Sequence, residues 1–220
     1  MRANVLGGLR VGGLTDAEIG SRKARTLLGA LLLARGAPVR IDQLAEVVWG
    51  DTPPERPGDQ LGVLVSRLRR VLGADAVRRT GHGYAAGLVP SDLIEFEARA
   101  TDAQTRLAAG EVGAALSAAR AALELADAGP LLGTDTGDWL APEREALARR
   151  LAAVRLVVAT GALAVGDSLA AVAAAERALD HDPYDELALR ALLRAHVAVG
   201  AGRLRRWPHS RVSGPGSLTI

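Results

Sequence analysis

Leu61-Gly62-Val63-Leu64-Val65-Ser66-Arg67-Leu68-Arg69-Arg70-Val71-Leu72, and after it Val77-Arg78-Arg79-Thr80-Gly81-His82-Gly83-Tyr84-Ala85-Ala86, is the stretch on which the fold turns. Leu61, Leu64, Val65, Leu68 and Leu72 recur at helical spacing and form one apolar stripe. The predicted helix covers residues 58–72, and Gly73 closes it. Its other face carries Asp59, Val63, Ser66, Arg67 and Arg70, with Arg69 to one side. The second piece turns at Gly81-His82-Gly83, which predicts a β-hairpin with Arg78, Arg79 and His82 near its tip. A helix with an apolar back and an Arg/Ser front is what a helix lying in a DNA major groove requires. Arginine pairs bidentately with guanine edges or clamps phosphates, and a basic hairpin suits a phosphate or minor-groove contact.

Upstream, Leu44, Ala45, Val48 and Trp49 repeat at helical spacing. Asp42 is the expected N-cap of this helix and Gly50 its end. An earlier helix is predicted over residues 23–35 from Leu27, Leu28, Leu31 and Leu32, with Gly36 and Pro38 stopping it. Asn4-Val5-Leu6 and Leu9-Arg10-Val11, separated by Gly7-Gly8, predict a small N-terminal sheet. Trp49 and Trp139 are expected as core anchors.

Downstream of Pro90 the strand signals vanish and Ala-rich helices follow. Gly110, Glu111, Ala114-Ala115 and Leu123 recur as Gly166, Asp167, Ala170-Ala171 and Leu179, a spacing of 56. Ala164-Val165-Gly166 recurs as Ala198-Val199-Gly200, a spacing of 34 that is the period of tetratricopeptide (TPR) helix hairpins. By that analogy a further helix is expected after Gly200. The chain instead reads Arg203-Leu204-Arg205-Arg206-Trp207-Pro208 and then Gly and Ser, so residues 201–220 are expected to be irregular, the product of a frameshift or truncation.

Aromatics make up only 3% of the 220 residues, so the cores must be built from Ala, Leu and Val, which favours close-packed helices. Without cysteine, neither a disulfide nor a thiolate metal site is possible. His181 and His196 have no ligand-like neighbours, and no paired carboxylates, nucleophile with base or phosphate loop stands out, so neither metal, cofactor nor catalysis is expected. The N-terminus has no signal-peptide pattern, and the longest apolar run, residues 156–165, is half a bilayer span; no membrane association and a cytoplasmic location are expected. Net charge is divided unevenly. Residues 1–90 hold 13 Lys and Arg against 8 Asp and Glu, whereas residues 91–200 hold 10 against 17, so a polyanion partner is expected for the first part only.

Val65-Ser66-Arg67-Leu68-Arg69-Arg70 with the hairpin ending Gly81-His82-Gly83-Tyr84 resembles the OmpR-type winged-helix effector domain. Arg22-Lys23-Ala24-Arg25-Thr26-Leu27-Leu28 and Leu44-Ala45-Glu46-Val47-Val48-Trp49-Gly50 resemble the SARP-type regulators, in which a helical bacterial transcriptional activation domain follows. Residues 91–200 are similar to that domain, including Asp180-His181-Asp182-Pro183-Tyr184-Asp185-Glu186. The resemblance implies an α+β winged helix over residues 1–90 and an all-α, TPR-like helical-hairpin domain over residues 91–200. It implies that Gln60, Val63, Ser66, Arg67, Arg69 and Arg70 face DNA, that Arg78, Arg79 and His82 belong to the wing, and that Tyr84 lies in the hairpin core. The function it implies is an activator that binds repeated promoter sites in double-stranded DNA, with RNA polymerase and a second protomer on the DNA as further partners. Asp59 and Gly62 depart from the pattern and imply modest intrinsic affinity, met by dimerisation on repeated half-sites. Two other readings stay open: a TPR-like interaction scaffold, and a fragment of a larger regulator. No receiver domain is expected before residue 1.

Overall fold

The computed structural model describes residues 2–87, 90–133, 135 and 137–205, the last four as backbone. The chain opens with a two-residue antiparallel ribbon, β1 (Ala3–Asn4) against β2 (Arg10–Val11). Helices α1 (Asp16–Ile19) and α2 (Arg22–Leu33) follow. Then come β3 (Val39–Arg40), α3 (Ile41–Trp49), α4 (Pro57–Leu72), β4 (Val77–Arg79) and β5 (Gly83–Ala86). The last three strands form an antiparallel sheet in the order β3-β5-β4. Five helices complete the described chain: α5 (Asp92–Ala108), α6 (Val112–Ala126), α7 (Ala141–Ala164), α8 (Ser168–Leu179) and α9 (Glu186–Arg205). This is a winged helix followed by an all-helical array, as the sequence implies.

Several boundaries differ from expectation for local reasons. The Ser21 hydroxyl accepts a hydrogen bond from the Ala24 N–H, so α2 begins at Arg22. It ends at Leu33 because Arg35 and Gly36 take left-handed conformations (φ 53° and 86°). Asp42 is not the N-cap of α3. Pairing of β3 with β5 keeps Arg40 extended up to the helix, so Arg40 holds the cap position and Asp42 lies in the first turn, hydrogen-bonded to the Arg40 guanidinium at 2.8 Å. The N-terminal strands are shorter than expected, since Val5, Leu6 and Leu9 go into the core instead of a ladder. Trp49 and Trp139 sit at the margin of the core, half-buried, and the Lys23 ammonium lies 5.6 Å from the Trp49 ring centroid.

The 56-residue repeat corresponds to two identical helix-to-helix turns. Gly110 and Gly166 both have left-handed φ (79° and 81°). The next residue closes the same bond in each: Glu111 N–H to Arg106 O and Asp167 N–H to Ala162 O, both 2.9 Å. The 34-residue match does not produce a third turn. Residues 198–200 lie inside α9, and helix continues to Arg205, into the segment expected to be irregular. Asp167 caps α8 by accepting from the Ala170 N–H, whereas Ala201 at the equivalent position has no side chain that can cap. Residues 206–220, and with them the rest of the expected irregular tail, lie outside the described residues.

Pro90 separates two kinds of element but not two cores. One buried cluster runs from Val5 and Leu27 through Phe96 and Leu131 to Val154. The Asp92 carboxylate, 2% exposed, accepts from the N–H groups of Val5 (2.9 Å) and Leu6 (3.0 Å). Gly7 N–H donates to Pro130 O and Leu132 N–H to Val5 O. A Cβ on Gly7 would lie 2.1 Å from Ala128 O, so only glycine allows the two backbones to approach this closely. Arg35 bridges to Glu97 and Glu143, which hold its guanidinium more firmly protonated than usual.

Candidate nucleic-acid interface

Helix α4 is fixed by its stripe: Leu61, Leu64, Val65, Leu68 and Leu72 are all buried. At about 1.5–3 kcal/mol for each fully buried large apolar side chain, this anchoring is strong enough to set the rotation of the helix about its axis. The opposite face therefore looks outward, and Gln60, Ser66, Arg67 and Arg70 are exposed, with Val63 at 46%. Among the described residues, Arg67 and Arg70 make no ion pair. The Ser66 hydroxyl donates to Gly62 O at 2.9 Å, which leaves its lone pairs to accept from a ligand. Pro57 at the first helical position and Asp59 in the first turn suit the start of the helix.

The wing stands beside this face. Arg78, Arg79 and His82 are exposed, and Tyr84 is buried, as the sequence reading placed it. The Arg79 guanidinium lies 5.9 Å from the Tyr84 ring centroid. The turn is attached to the body through the His82 carbonyl, which accepts from Ile41 N–H at 3.1 Å at the start of α3. A Cβ on Gly83 would meet Val39 O at 1.9 Å, so glycine is required where the wing crosses β3. An open cleft of about 480 Å³ runs between wing and helix, lined by Asp59, Val63, Ser66, Arg67 and Arg70 on one side and Arg79 and Tyr84 on the other.

Most of the residues expected at the interface thus share one surface. Arg69 differs. It is half-buried, and its Nε donates to Val77 O at 2.8 Å, tying the end of α4 to the first wing strand. Sequence reasoning missed two contributors. Strand β3 is too short for alternation to reveal it, and Tyr84 borders the cleft while its ring stays in the core. Among the described residues no cluster of three potential metal ligands occurs.

Comparison with known proteins agrees with this architecture. Residues 91–203 match the family described as bacterial transcriptional activator domain, and residues 18–85 match the C-terminal domain of transcriptional regulatory proteins. Among curated proteins, the regulatory protein AfsR of Streptomyces coelicolor is 35% identical over 139 residues, covering 60% of this chain and 14% of the relative. AfsR of Streptomyces griseus is 34% identical over 114 residues, 50% of this chain and 12% of the relative. The transcriptional regulator RedD of S. coelicolor is 30% identical over 110 residues, 50% of this chain and 29% of the relative. The chain therefore spans only a small part of the length of these relatives. Among solved structures, Mycobacterium tuberculosis EmbR, determined in complex with a low-affinity phosphopeptide, superposes with a TM-score of 0.79 at 27% identity, over 92% of this chain and 58% of that one. AfsR and RedD are named as regulators, and the two matched domains are those of transcriptional regulators, which are not enzymes. With its activator domain matched over half of its length and a winged helix in front of it, this chain belongs to the SARP-type, BTAD-containing family of bacterial transcriptional regulators.

Proposed function

We propose that the chain binds double-stranded DNA at specific sites, with α4 in a major groove and the wing on the flanking backbone, and thereby activates transcription in the cytoplasm. The observation that carries this reading is the outward face of α4, where Arg67 and Arg70, without an ion pair among the described residues, lie across a cleft from Arg79. Gln60, Ser66, Arg67 and Arg70 supply base-edge and phosphate contacts; Arg78, Arg79 and His82 supply wing contacts; Arg69 serves mainly by holding the wing to the helix. The helical array faces the transcription machinery or a neighbouring protomer, RNA polymerase being the expected target. No helix of the described residues is long and apolar enough to cross a membrane.

Selection from a genomic DNA pool over a range of salt tests the reading, with Arg67→Ala/Arg70→Ala in parallel. The wild type should enrich a repeated motif, with log affinity falling by ~0.9 per phosphate contact per log unit of salt. The variant should lose the motif, at ~1–3 kcal/mol for each bidentate base contact. A folded wild type that enriches nothing at low salt would favour the other reading, an interaction scaffold. That reading draws on α9, where Leu189, Leu193 and Val197 follow one another on an exposed face (39%, 66% and 72%).

A further inference from the structure

A cavity of about 500 Å³ lies at the junction of the winged helix and the helical array, apart from the α4 cleft. Both halves build it. The β1–β2 turn gives Gly7 and Gly8, and β2 gives Arg10; the start of α1 gives Thr15 and Asp16; α2 gives Arg22 and Arg25; and the loop before α7 gives Gly133 and Asp135. We propose that this cavity binds a small phosphorylated molecule, and that the arginines are its anion receptors.

Three guanidiniums, Arg10 from β2 and Arg22 and Arg25 from the first turn of α2, line one recess. Among the described residues, Arg10 and Arg22 make no ion pair, so their donors are available. Arg25 is held in place by its bond to Gly20 O at 2.6 Å. The two carboxylates in the wall are each turned toward backbone: Asp16 accepts from Ala17 N–H at 2.8 Å and Asp135 from Gly137 N–H at 3.1 Å. The wall thus carries three guanidiniums against two carboxylates, each carboxylate holding one backbone N–H. A planar guanidinium matches two oxygens of a phosphate at once, which a carboxylate-bearing wall without arginine could not do. The volume is that of a small-ligand site, and such sites favour boundaries between structural units. Close backbone approach shapes the wall, since a Cβ on Gly133 would lie 3.2 Å from the Gly8 Cα. A ligand here touches both halves of the chain, so its binding stabilises their junction.

The test is thermal melting of the full chain with inorganic phosphate, glucose 6-phosphate and ATP, against chloride at equal ionic strength. A saturable rise in melting temperature is expected with at least one phosphate. Arg10→Ala/Arg22→Ala should weaken that ligand about tenfold. Both side chains are exposed, so this variant should melt normally without ligand and keep its affinity for the selected DNA site. Arg67→Ala/Arg70→Ala should lose the DNA site and keep the phosphate response, which separates the two readings. The proposal is overturned if no phosphate gives a saturable shift or if the shift survives in Arg10→Ala/Arg22→Ala. It is overturned equally if that variant loses DNA affinity with a shallower salt dependence, which would assign the arginines to the DNA footprint.

Discussion

Arg67, Arg69 and Arg70 lie within about one turn of α4 yet have unequal surroundings. Arg67 and Arg70 project into water, whereas Arg69 donates to the Val77 carbonyl of β4. Arg69→Ala should therefore act first on stability, lowering it by about 1 kcal/mol through the lost hydrogen bond, and weaken DNA binding less than Arg67→Ala does. Urea unfolding and gel-shift titration of both variants check this; an unchanged unfolding midpoint for Arg69→Ala would disprove it. The sequence shows that an arginine lies beside the apolar stripe. It does not show which carbonyl comes within reach, because that depends on where residues 73–77 turn back. Val63, Ser66, Arg67 and Arg70 were legible as one face because helical geometry alone places them, whereas Gln60 was implied only by the family resemblance.

Two helix-interior glycines illustrate how elements are constrained. A Cβ on Gly62 in α4 would have as its nearest neighbour the Tyr84 hydroxyl, at 3.8 Å, which is ordinary contact. Gly62→Ala should raise stability by about 0.5–1 kcal/mol through the lost backbone freedom of glycine. A Cβ on Gly161 in α7 would lie 2.9 Å from the Leu116 Cβ of α6, an atom fixed to its own backbone. Gly161→Ala must spread the two helices and should cost about 1–3 kcal/mol. Denaturant midpoints of the two variants should move in opposite directions, and a shared direction would refute the packing argument. Element identity was readable where a stripe was long, as in α4. It failed where the decisive feature was a cap or a pairing: Ser21 before α2, β3 before α3, and the absence of a capping side chain at Ala201. These depend on single side chains or on a distant strand, and periodicity carries no trace of either.

At the scale of the whole molecule, the domain order was legible from composition, but the shared core was not, because it is made by residues about 90 to 130 positions apart. Asp92 is its polar centre. Asp92→Asn places an amide opposite donors that need an acceptor and should cost about 2 kcal/mol. The wild type should unfold in one step, with calorimetric and van't Hoff enthalpies equal, and Asp92→Asn should separate the two halves in the scan. Two transitions in the wild type would contradict the common core. The closed seam of Gly7 against Ala128 and of Leu132 against Val5 has a further consequence, which concerns the operator. It makes α4 and the outer edge of the array turn together, so under the proposed function protomers bound to direct repeats would meet in a relation set by the pitch of B-DNA. Inserting about half a helical turn between the repeats should abolish cooperative occupancy, and completing the turn at ~10.5 base pairs should restore it. Footprinting of such a spacer series would show a periodic response; occupancy indifferent to phase would mean that the seam opens on DNA.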